Sequence, residues 1–197
     1  MLSHRNLATM TACYFIDVDD VDPADAIVYA APMSHGAGLY NLPFVARAAR
    51  HVVPASGGFD PPELVGLSHD IGRLCLFAAP TMVHPLVEHV AASSVSCEGF
   101  KTIVYGGGPM YGQDIRRALA TMGPRFVQIY GQGESPMTIT ALSRAQLADE
   151  GHPRWAERIE SVGVAQTLVE VRVVDGDGND VPIGAAGEIV VRGDTVM

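Results

Sequence analysis

Lysine is almost absent from this chain of 197 residues. Lys101 is the only one, so any chemistry that needs an ammonium group has a single candidate. The formal net charge is −9, and without a basic stripe this argues against a nucleic-acid-binding module. Charged residues make up only 18% of the chain against 48% hydrophobic residues, a composition that excludes a disordered chain. The length suits one domain or two small lobes with a sizeable core.

Long apolar runs are also missing. The longest stretch without a charged residue, 26–46, is broken by prolines and glycines, so we expect no membrane span. No apolar signal-peptide run follows the N-terminus. Cys13, Cys75 and Cys97 are odd in number and widely spaced, and no Cys-x-x-Cys occurs. We therefore expect a reduced, cytoplasmic protein without a structural zinc site.

The first two thirds of the chain alternate short apolar runs with helix-length segments, which is typical of βα units in a mainly parallel sheet. The predicted strands are 26–30, 50–54, 73–78, 101–105 and 125–130, and the predicted helices are 38–49, 61–70, 80–92 and 112–122.

This alternation stops after Tyr130. We expect the polar stretch 141–159 to be helix and loop, and the alternating segments 169–174 and 188–192, with a turn cluster between them, to be antiparallel strands. The expected fold class is α/β, a mainly parallel βα sheet subdomain followed by the start of an antiparallel β-barrel-like subdomain.

Three consecutive glycines, Gly106, Gly107 and Gly108, connect a predicted strand to a predicted helix. Glycines let a ligand approach the backbone, and amides near a helix start favour anions. A tight βα turn is the alternative, but it needs fewer glycines. The motif therefore favours a ligand-binding loop.

A second candidate loop follows the strand 125–130 and comprises Gln128, Tyr130, Gly131, Gln132, Gly133 and Glu134. In open α/β sheets ligands bind at the carboxyl ends of the strands. Tyr130 could stack on a planar base, and the carboxylate of Glu134 could hold Mg²⁺. The alternative is that Tyr130 belongs to the core and Glu134 is a solvated loop charge.

His35 is a third candidate, because it lies between a predicted strand and a glycine-rich helix start. A hydrogen-bonded structural role and a catalytic role are equally open for it. The other histidines show no metal-ligand spacing. No serine lies in Gly-x-Ser-x-Gly, so a serine hydrolase has no support, and Tyr111 replaces the last glycine of a dinucleotide-binding Gly-x-Gly-x-x-Gly.

These loops, in this order, resemble landmarks of the adenylate-forming superfamily of acyl-CoA synthetases, aryl-CoA ligases, luciferases and peptide-synthetase adenylation domains. Residues 106–110 resemble its Gly-Gly-Ala-Pro-Leu motif, 130–134 its Tyr-Gly-x-Thr-Glu motif and 32–35 its Pro-x-x-His loop. Further similar segments are 3–7 (Ser-His-x-Asn-Leu), 59–61, 80–82, 161–163 and 184–197.

The resemblance implies a two-step ligase. A carboxylic acid attacks the α-phosphate of ATP, and coenzyme A then takes the acyl group from the adenylate. Glu134 would be catalytic through bound Mg²⁺ and His35 would lie where the acyl chain and the thiol meet. Residues implied in nucleotide binding are Gly106, Gly107, Gly108, Gln128, Tyr130, Gly131, Gln132 and Gly133, and those implied in the substrate pocket are His35, Gly108 and Met137.

The resemblance also implies that this is a central fragment of an N-terminal lobe. We expect residues 1–16 to form a helix that follows a phosphate loop, 17–135 the α/β subdomain and 136–197 the start of the barrel. The family's phosphate-loop and C-terminal lysines have no counterpart here, so we expect the fragment to be inactive alone. A homodimer is left open.

One residue departs from the family pattern at the phosphate. The family's Thr or Ser before the glutamate is Gly133, so its contact to the α-phosphate is lost or comes from Ser135 or a backbone amide. A degenerate, non-catalytic module that binds nucleotide or acyl groups is therefore the alternative function. Residues 36–42 hold no carboxylate for an amino-acid ammonium group, so the sequence favours a fatty, alicyclic or aryl acid.

Overall fold

A seven-stranded sheet organises the computed structural model, which describes residues 1–197. The strand order is β2-β1-β3-β4-β5-β6-β7, with β1 to β5 parallel and β6 and β7 antiparallel to their neighbours. The strands are β1 (Ala26–Val28), β2 (Arg50–Val52), β3 (Leu74–Ala78), β4 (Phe100–Tyr105), β5 (Phe126–Gln132), β6 (Ser135–Leu142) and β7 (Val164–Ala165). The predicted mainly parallel α/β fold and its first five strands are confirmed.

The helices run between and beside these strands. They are α1 (His4–Cys13), which continues as a π-helical turn (Tyr14–Val18), α2 (Gly36–Leu39), α3 (Asn41–Ala46), α4 (Pro61–Ile71), α5 (Pro80–Ser93), α6 (Gly112–Met122), α7 (Arg144–Ala148) and α8 (Trp155–Arg158). Prolines occupy the first turns of α4 and α5, where their missing amide hydrogen costs no helical bond. No helix is long and apolar enough to cross a membrane.

One sequence-based expectation is wrong and one strand lies outside the predicted elements. Helices α7 and α8 confirm the helix and loop expected over 141–159 except at its first two residues. The single helix expected over 38–49 is divided at Tyr40 into α2 and α3, because Pro43 has no amide hydrogen to continue the helix through that point. Strand β6 was not predicted, and it includes the first two residues of the expected polar helix and loop. This strand is buried on both faces, so its polar residues do not alternate with apolar ones as in a half-exposed strand. The hydroxyls of Thr138 and Thr140 donate to backbone carbonyls.

Both faces of the sheet are covered, as is usual for parallel strands. Alternate residues of β4 point to opposite sides, so that Ile103 packs with the residues of α4, α5 and α6, whereas Val104 packs with those of α1 and α3. The result is a three-layer arrangement with a core on each side of the sheet.

A separate hairpin, β8 (Glu170–Val174) and β9 (Glu188–Arg192), follows the sheet. Its antiparallel pairing confirms the pattern predicted for 169–174 and 188–192. Because β6 and β7 remain in the main sheet, that sheet extends to residue 165.

Candidate active site

A cavity of about 530 Å³ opens at the carboxyl edge of the parallel strands. The loop after β1, the residue after β3, the glycines after β4 and the turn between β5 and β6 all contribute to its wall. Its lining residues are Leu2, Met33, Ser34, His35, Gly36, Gly38, Leu39, Phe77, Ala79, Gly106, Gly107, Ile129, Gly131, Gln132, Gly133, Pro136 and Met137. The fold thus brings the three loops that the sequence singled out to one cavity.

The inner part of this cavity is apolar and closely fitted. A Cβ on Gly36 would lie 3.3 Å from Met137 Sδ and 3.6 Å from Phe77 Cε1. Gly38 is closer still to its neighbours, because a Cβ there would stand 1.8 Å from the carbonyl oxygen of Met33. Gly36 therefore keeps space open between helix α2 and the sheet, and Gly38 lets the helix pack against the loop that precedes it.

Glycines also let the backbone segments approach each other at the mouth of the cavity. A Cβ on Gly106 would lie 2.5 Å from the carbonyl oxygen of Ile129, so strand β5 itself excludes any side chain there. Gly107 has φ +79°, in the left-handed region that favours glycine. The glycine loop is therefore shaped by the fold beyond the needs of a simple turn. Gly108 is exposed and lies outside the lining of the cavity.

His35 caps the short helix α2 and is exposed at the cavity. Its backbone amide donates to the carbonyl of Pro32 at 3.1 Å, and its carbonyl accepts from Gly38 at 3.0 Å. The imidazole has no hydrogen-bond partner in the protein, which makes it free to contact a ligand.

Tyr130 and Gln128 lie on the side of β5 opposite to Ile129, because strand residues alternate between faces. Tyr130 is half-buried, and its hydroxyl accepts a hydrogen bond from Gln132 Nε2 at 2.7 Å. Gln128 is buried, and its Oε1 has no partner. The two side chains therefore lie on the other face of the sheet from Ile129, outside the lining of the cavity, and only Tyr130 is partly exposed.

Glu134 is exposed at the tip of the β5–β6 turn, and its carboxylate has no partner in the protein. The preceding Gly133 has no atom within 4 Å of where its Cβ would be. Ser135 is buried, and its hydroxyl lies 2.8 Å from Thr195 Oγ1 and 3.3 Å from Thr138 Oγ1. This hydroxyl is turned into the protein, so Ser135 does not supply the phosphate contact that Gly133 lacks.

No group of three or more His, Cys, Asp or Glu residues could enclose a metal ion. Mg²⁺ commonly uses one or two carboxylates together with substrate phosphates and water. A single free carboxylate at Glu134 fits that mode of binding, which depends on a bound polyphosphate.

The family model of the AMP-binding enzymes matches residues 1–197. The chain belongs to the AMP-binding enzyme family. This confirms the resemblance that the loops predicted. A feruloyl-CoA synthase from Amycolatopsis sp is 30% identical over 199 residues, and the medium/long-chain-fatty-acid–CoA ligase FadD8 of Mycobacterium tuberculosis is 28% identical over 190 residues.

The AMP-binding fold extends over the whole chain. The amide bond synthetase McbA from Marinactinospora thermotolerans matches 99% of it with a TM-score of 0.84 at 24% identity. ATP-bound MatB from Rhodopseudomonas palustris matches 100% with a TM-score of 0.76 at 25% identity. The chain spans only 38% of the feruloyl-CoA synthase and 31% of FadD8, and 37% of each of these two solved chains.

Lys101, the single lysine of the chain, lies at the opposite, amino-terminal end of the parallel strands. It stands at the start of β4, about 16 Å from Gly106 at a rise of about 3.3 Å per residue. Its Nζ lies 2.7 Å from Asp25 Oδ2, 3.3 Å from Asp20 Oδ1 and 3.5 Å from Asp19 Oδ2. The ammonium group is thus held by carboxylates away from the cavity.

Asp25 is the centre of this ion cluster. Its side chain is fully buried and also accepts from Arg73 Nε at 2.5 Å. Burial alone would raise the pKa of this carboxyl, but hydrogen bonds from the Asp22 amide, Lys101 and Arg73 outweigh it and lower the pKa. For Asp19, burial dominates and raises the pKa. None of the residues in this cluster lines the cavity.

Sequence reasoning found the loops that reach the cavity and Met137 of its apolar wall, and it missed Phe77 and Ile129. Phe77 and Ile129 are strand residues, and nothing in a strand pattern says which buried residue borders a cavity. The one signal for these two residues was their position near the carboxyl ends of strands, where ligands bind in open α/β sheets.

Proposed function

We propose that this chain is the central part of the N-terminal lobe of an acid–thiol ligase. The ligase activates a fatty, alicyclic or aryl carboxylic acid with ATP and transfers the acyl group to coenzyme A. The observation that carries the proposal is the cavity. It joins an apolar wall to two glycine-lined segments at the sheet edge, and a free carboxylate lies on the adjoining turn.

The apolar wall supports a hydrophobic acid. Met33, Leu39, Phe77, Ile129 and Met137 line it, and no carboxylate lies among the lining residues to pair with an amino-acid ammonium group. A volume of about 530 Å³ lies within the range of small-molecule sites. The names of the relatives agree, since they include feruloyl-CoA, fatty-acid–CoA and indoleacetate–CoA ligases.

The first step joins the acid to AMP. A carboxylate oxygen attacks the α-phosphorus of ATP, the bond from that phosphorus to the bridging oxygen breaks, and pyrophosphate leaves. We assign Gly106 to Gly108 and Gly131 to Gly133 to the backbone that the nucleotide approaches, and Tyr130 to stacking on the adenine. Glu134 would hold Mg²⁺ together with the phosphates, and the bound ion would stabilise the charge that develops there.

The second step forms the thioester. The coenzyme A thiolate attacks the acyl carbonyl carbon, and AMP leaves with the electron pair of the broken acyl–oxygen bond. His35 lies at the cavity with a free imidazole, so we assign it to the meeting point of the acyl group and the thiol.

The isolated chain is proposed to be inactive. The family's phosphate-loop and C-terminal lysines have no counterpart in this chain, and its only lysine is held by Asp25 at the amino-terminal end of the parallel strands. Other parts of a longer protein would supply those lysines.

Pyrophosphate release tests the proposal. The full-length product of the gene that encodes this chain is incubated with ATP, Mg²⁺ and a panel of fatty, alicyclic, aryl and amino acids, with the 197-residue chain and a Glu134→Gln variant as controls. We expect the full-length protein to release pyrophosphate with one class of hydrophobic acid, and we expect neither control to release it. Release with amino acids only would contradict the assigned substrate class.

The second candidate, a non-catalytic binding module, is favoured by one observation. Gly133 removes the hydroxyl that the family uses at the phosphate, and the buried hydroxyl of Ser135 does not replace it. Binding of ATP or of a fatty acid without pyrophosphate release for any acid would support this module over the ligase.

A further inference from the structure

A pair of buried hydroxyl groups ties the Glu134 turn to the last residues of the chain. Ser135 and Thr195 are 60 residues apart in sequence, yet their hydroxyl oxygens lie 2.8 Å apart. Ser135 is 2% exposed and Thr195 is fully buried. Removing either hydroxyl costs free energy, because the other hydroxyl then stays buried with fewer hydrogen-bond partners.

Three further hydrogen bonds strengthen this connection. The backbone amide of Met197 donates to the carbonyl oxygen of Glu134 at 2.9 Å. The side-chain amide of Asn6 donates to the carbonyls of Asp194 and Val196 at 2.9 and 2.8 Å. The segment 194–197 is therefore held between helix α1 and the β5–β6 turn.

The tip of the turn, Gly133 and Glu134, has no side-chain contact to hold it. Gly133 contributes no side chain, and the carboxylate of Glu134 has no protein partner. The contacts at Glu134 O and Ser135 Oγ are the ones that reach it from outside strands β5 and β6. When a protein group that binds a ligand is already held in place, binding loses less conformational entropy.

We propose that Thr195 is a positioning residue that holds the Glu134 carboxylate, through Ser135, where it meets the metal on the nucleotide phosphates. The inference rests on the proposed function for the role of the metal. The mechanical part, that Thr195 orders the turn, stands on the hydrogen bonds alone.

Amide hydrogen exchange in the full-length protein tests the mechanical part. Thr195→Val removes the hydroxyl and keeps the shape, and we expect exchange in residues 132–136 to quicken by roughly fivefold. Thr195→Ser keeps the hydroxyl and should restore the wild-type rate. Thr140→Val is the matched control. Thr140 is a buried threonine of strand β6, and its hydroxyl donates to the carbonyl oxygen of Val162 instead of contacting the turn.

Nucleotide binding to the full-length protein tests the functional part. Thr195→Val should weaken binding of ATP with Mg²⁺ by roughly fivefold, leave binding of ATP in EDTA unchanged, and be rescued in Thr195→Ser. If Thr195→Val does not fold, Ser135→Ala breaks the same hydroxyl pair from the other side, and the same pattern is expected.

The outcomes separate the two claims. Unchanged exchange in residues 132–136, or the same increase in Thr140→Val, would overturn the positioning role. Faster exchange with unchanged Mg²⁺-dependent affinity would overturn the link to the metal. If the wild-type protein binds no ATP, the proposed function and the metal role fail, and exchange still decides whether Thr195 holds the turn.

Discussion

Gly131 faces Met137 across the β5–β6 turn with no room for a side chain. A Cβ on Gly131 would stand 2.3 Å from the backbone nitrogen of Met137 and 2.9 Å from the carbonyl oxygen of Ser135. Met137 itself has φ +66°, an unusual value for a residue other than glycine, and its side chain forms part of the cavity wall. The tightness of this turn thus fixes one wall of the cavity.

Gly131→Ala should therefore destabilise the chain, because the new methyl group meets backbone that cannot move without opening the turn. We expect a loss of about 2 kcal/mol in unfolding free energy, or about 4–8 °C in Tm. Gly133→Ala, two residues away, meets no atom within 4 Å and should change Tm little. Thermal unfolding of both variants measures the difference, and equal Tm values would contradict the tight turn.

The space at Gly36 should limit the size of the acid. In Gly36→Val the Cβ would contact Met137 Sδ at 3.3 Å, and its methyl groups would occupy the apolar end of the cavity. We expect kcat/KM for the larger acids of the panel to fall about 10- to 200-fold relative to the smallest accepted acid. Gly58→Val, whose Cβ would meet nothing, is the control. A uniform loss for all acids would argue against a role in size selection.

Gly133→Thr should be tolerated and should favour nucleotide binding. Nothing lies within 4 Å of the added Cβ, and Gly133 lines the cavity mouth. A new hydroxyl that donates to a charged phosphate is worth about 1.5–3 kcal/mol, so ATP affinity should rise about tenfold or more. Isothermal titration with ATP, using Gly133→Val as the control without a hydroxyl, measures this. Equal ATP affinities of the Gly133→Thr and Gly133→Val variants would contradict a phosphate contact from the new hydroxyl.

Acid should weaken the ion cluster around Asp25. Its pKa is lowered in the folded state, so its ionised form stabilises the fold above its unfolded pKa of about 3.9, and this contribution is lost as the pH falls through the folded pKa. The unfolding free energy of the wild-type chain should exceed that of Asp25→Asn by a constant amount at neutral pH. That difference should narrow below about pH 4. A difference that widens below pH 4 would contradict the lowered pKa.

The sequence singled out the loops that reach the cavity and predicted the first five strands, but it did not predict strand β6. Gly106 stood out because it opens a run of three glycines, and Gly131 because its loop lies at the carboxyl end of a predicted strand. The structure shows strand backbone against both. Strand β6 was not predicted because an alternating pattern of polar and apolar residues indicates a strand only when one face is exposed to water, and β6 is buried on both faces. Thr138 and Thr140 are instead buried and hydrogen-bonded. The Ser135–Thr195 pair joins residues 60 apart, a tertiary relationship that no local pattern reveals.

The transfer of labelled oxygen tests the central claim most directly. If the full-length protein forms an acyl-adenylate, one carboxylate oxygen of the acid remains on the phosphorus when coenzyme A displaces AMP. With an ¹⁸O-labelled hydrophobic acid, we expect AMP that carries one ¹⁸O atom and no label in pyrophosphate, and no labelled AMP from Glu134→Gln. Label in inorganic phosphate with formation of ADP, or unlabelled AMP, would contradict the account.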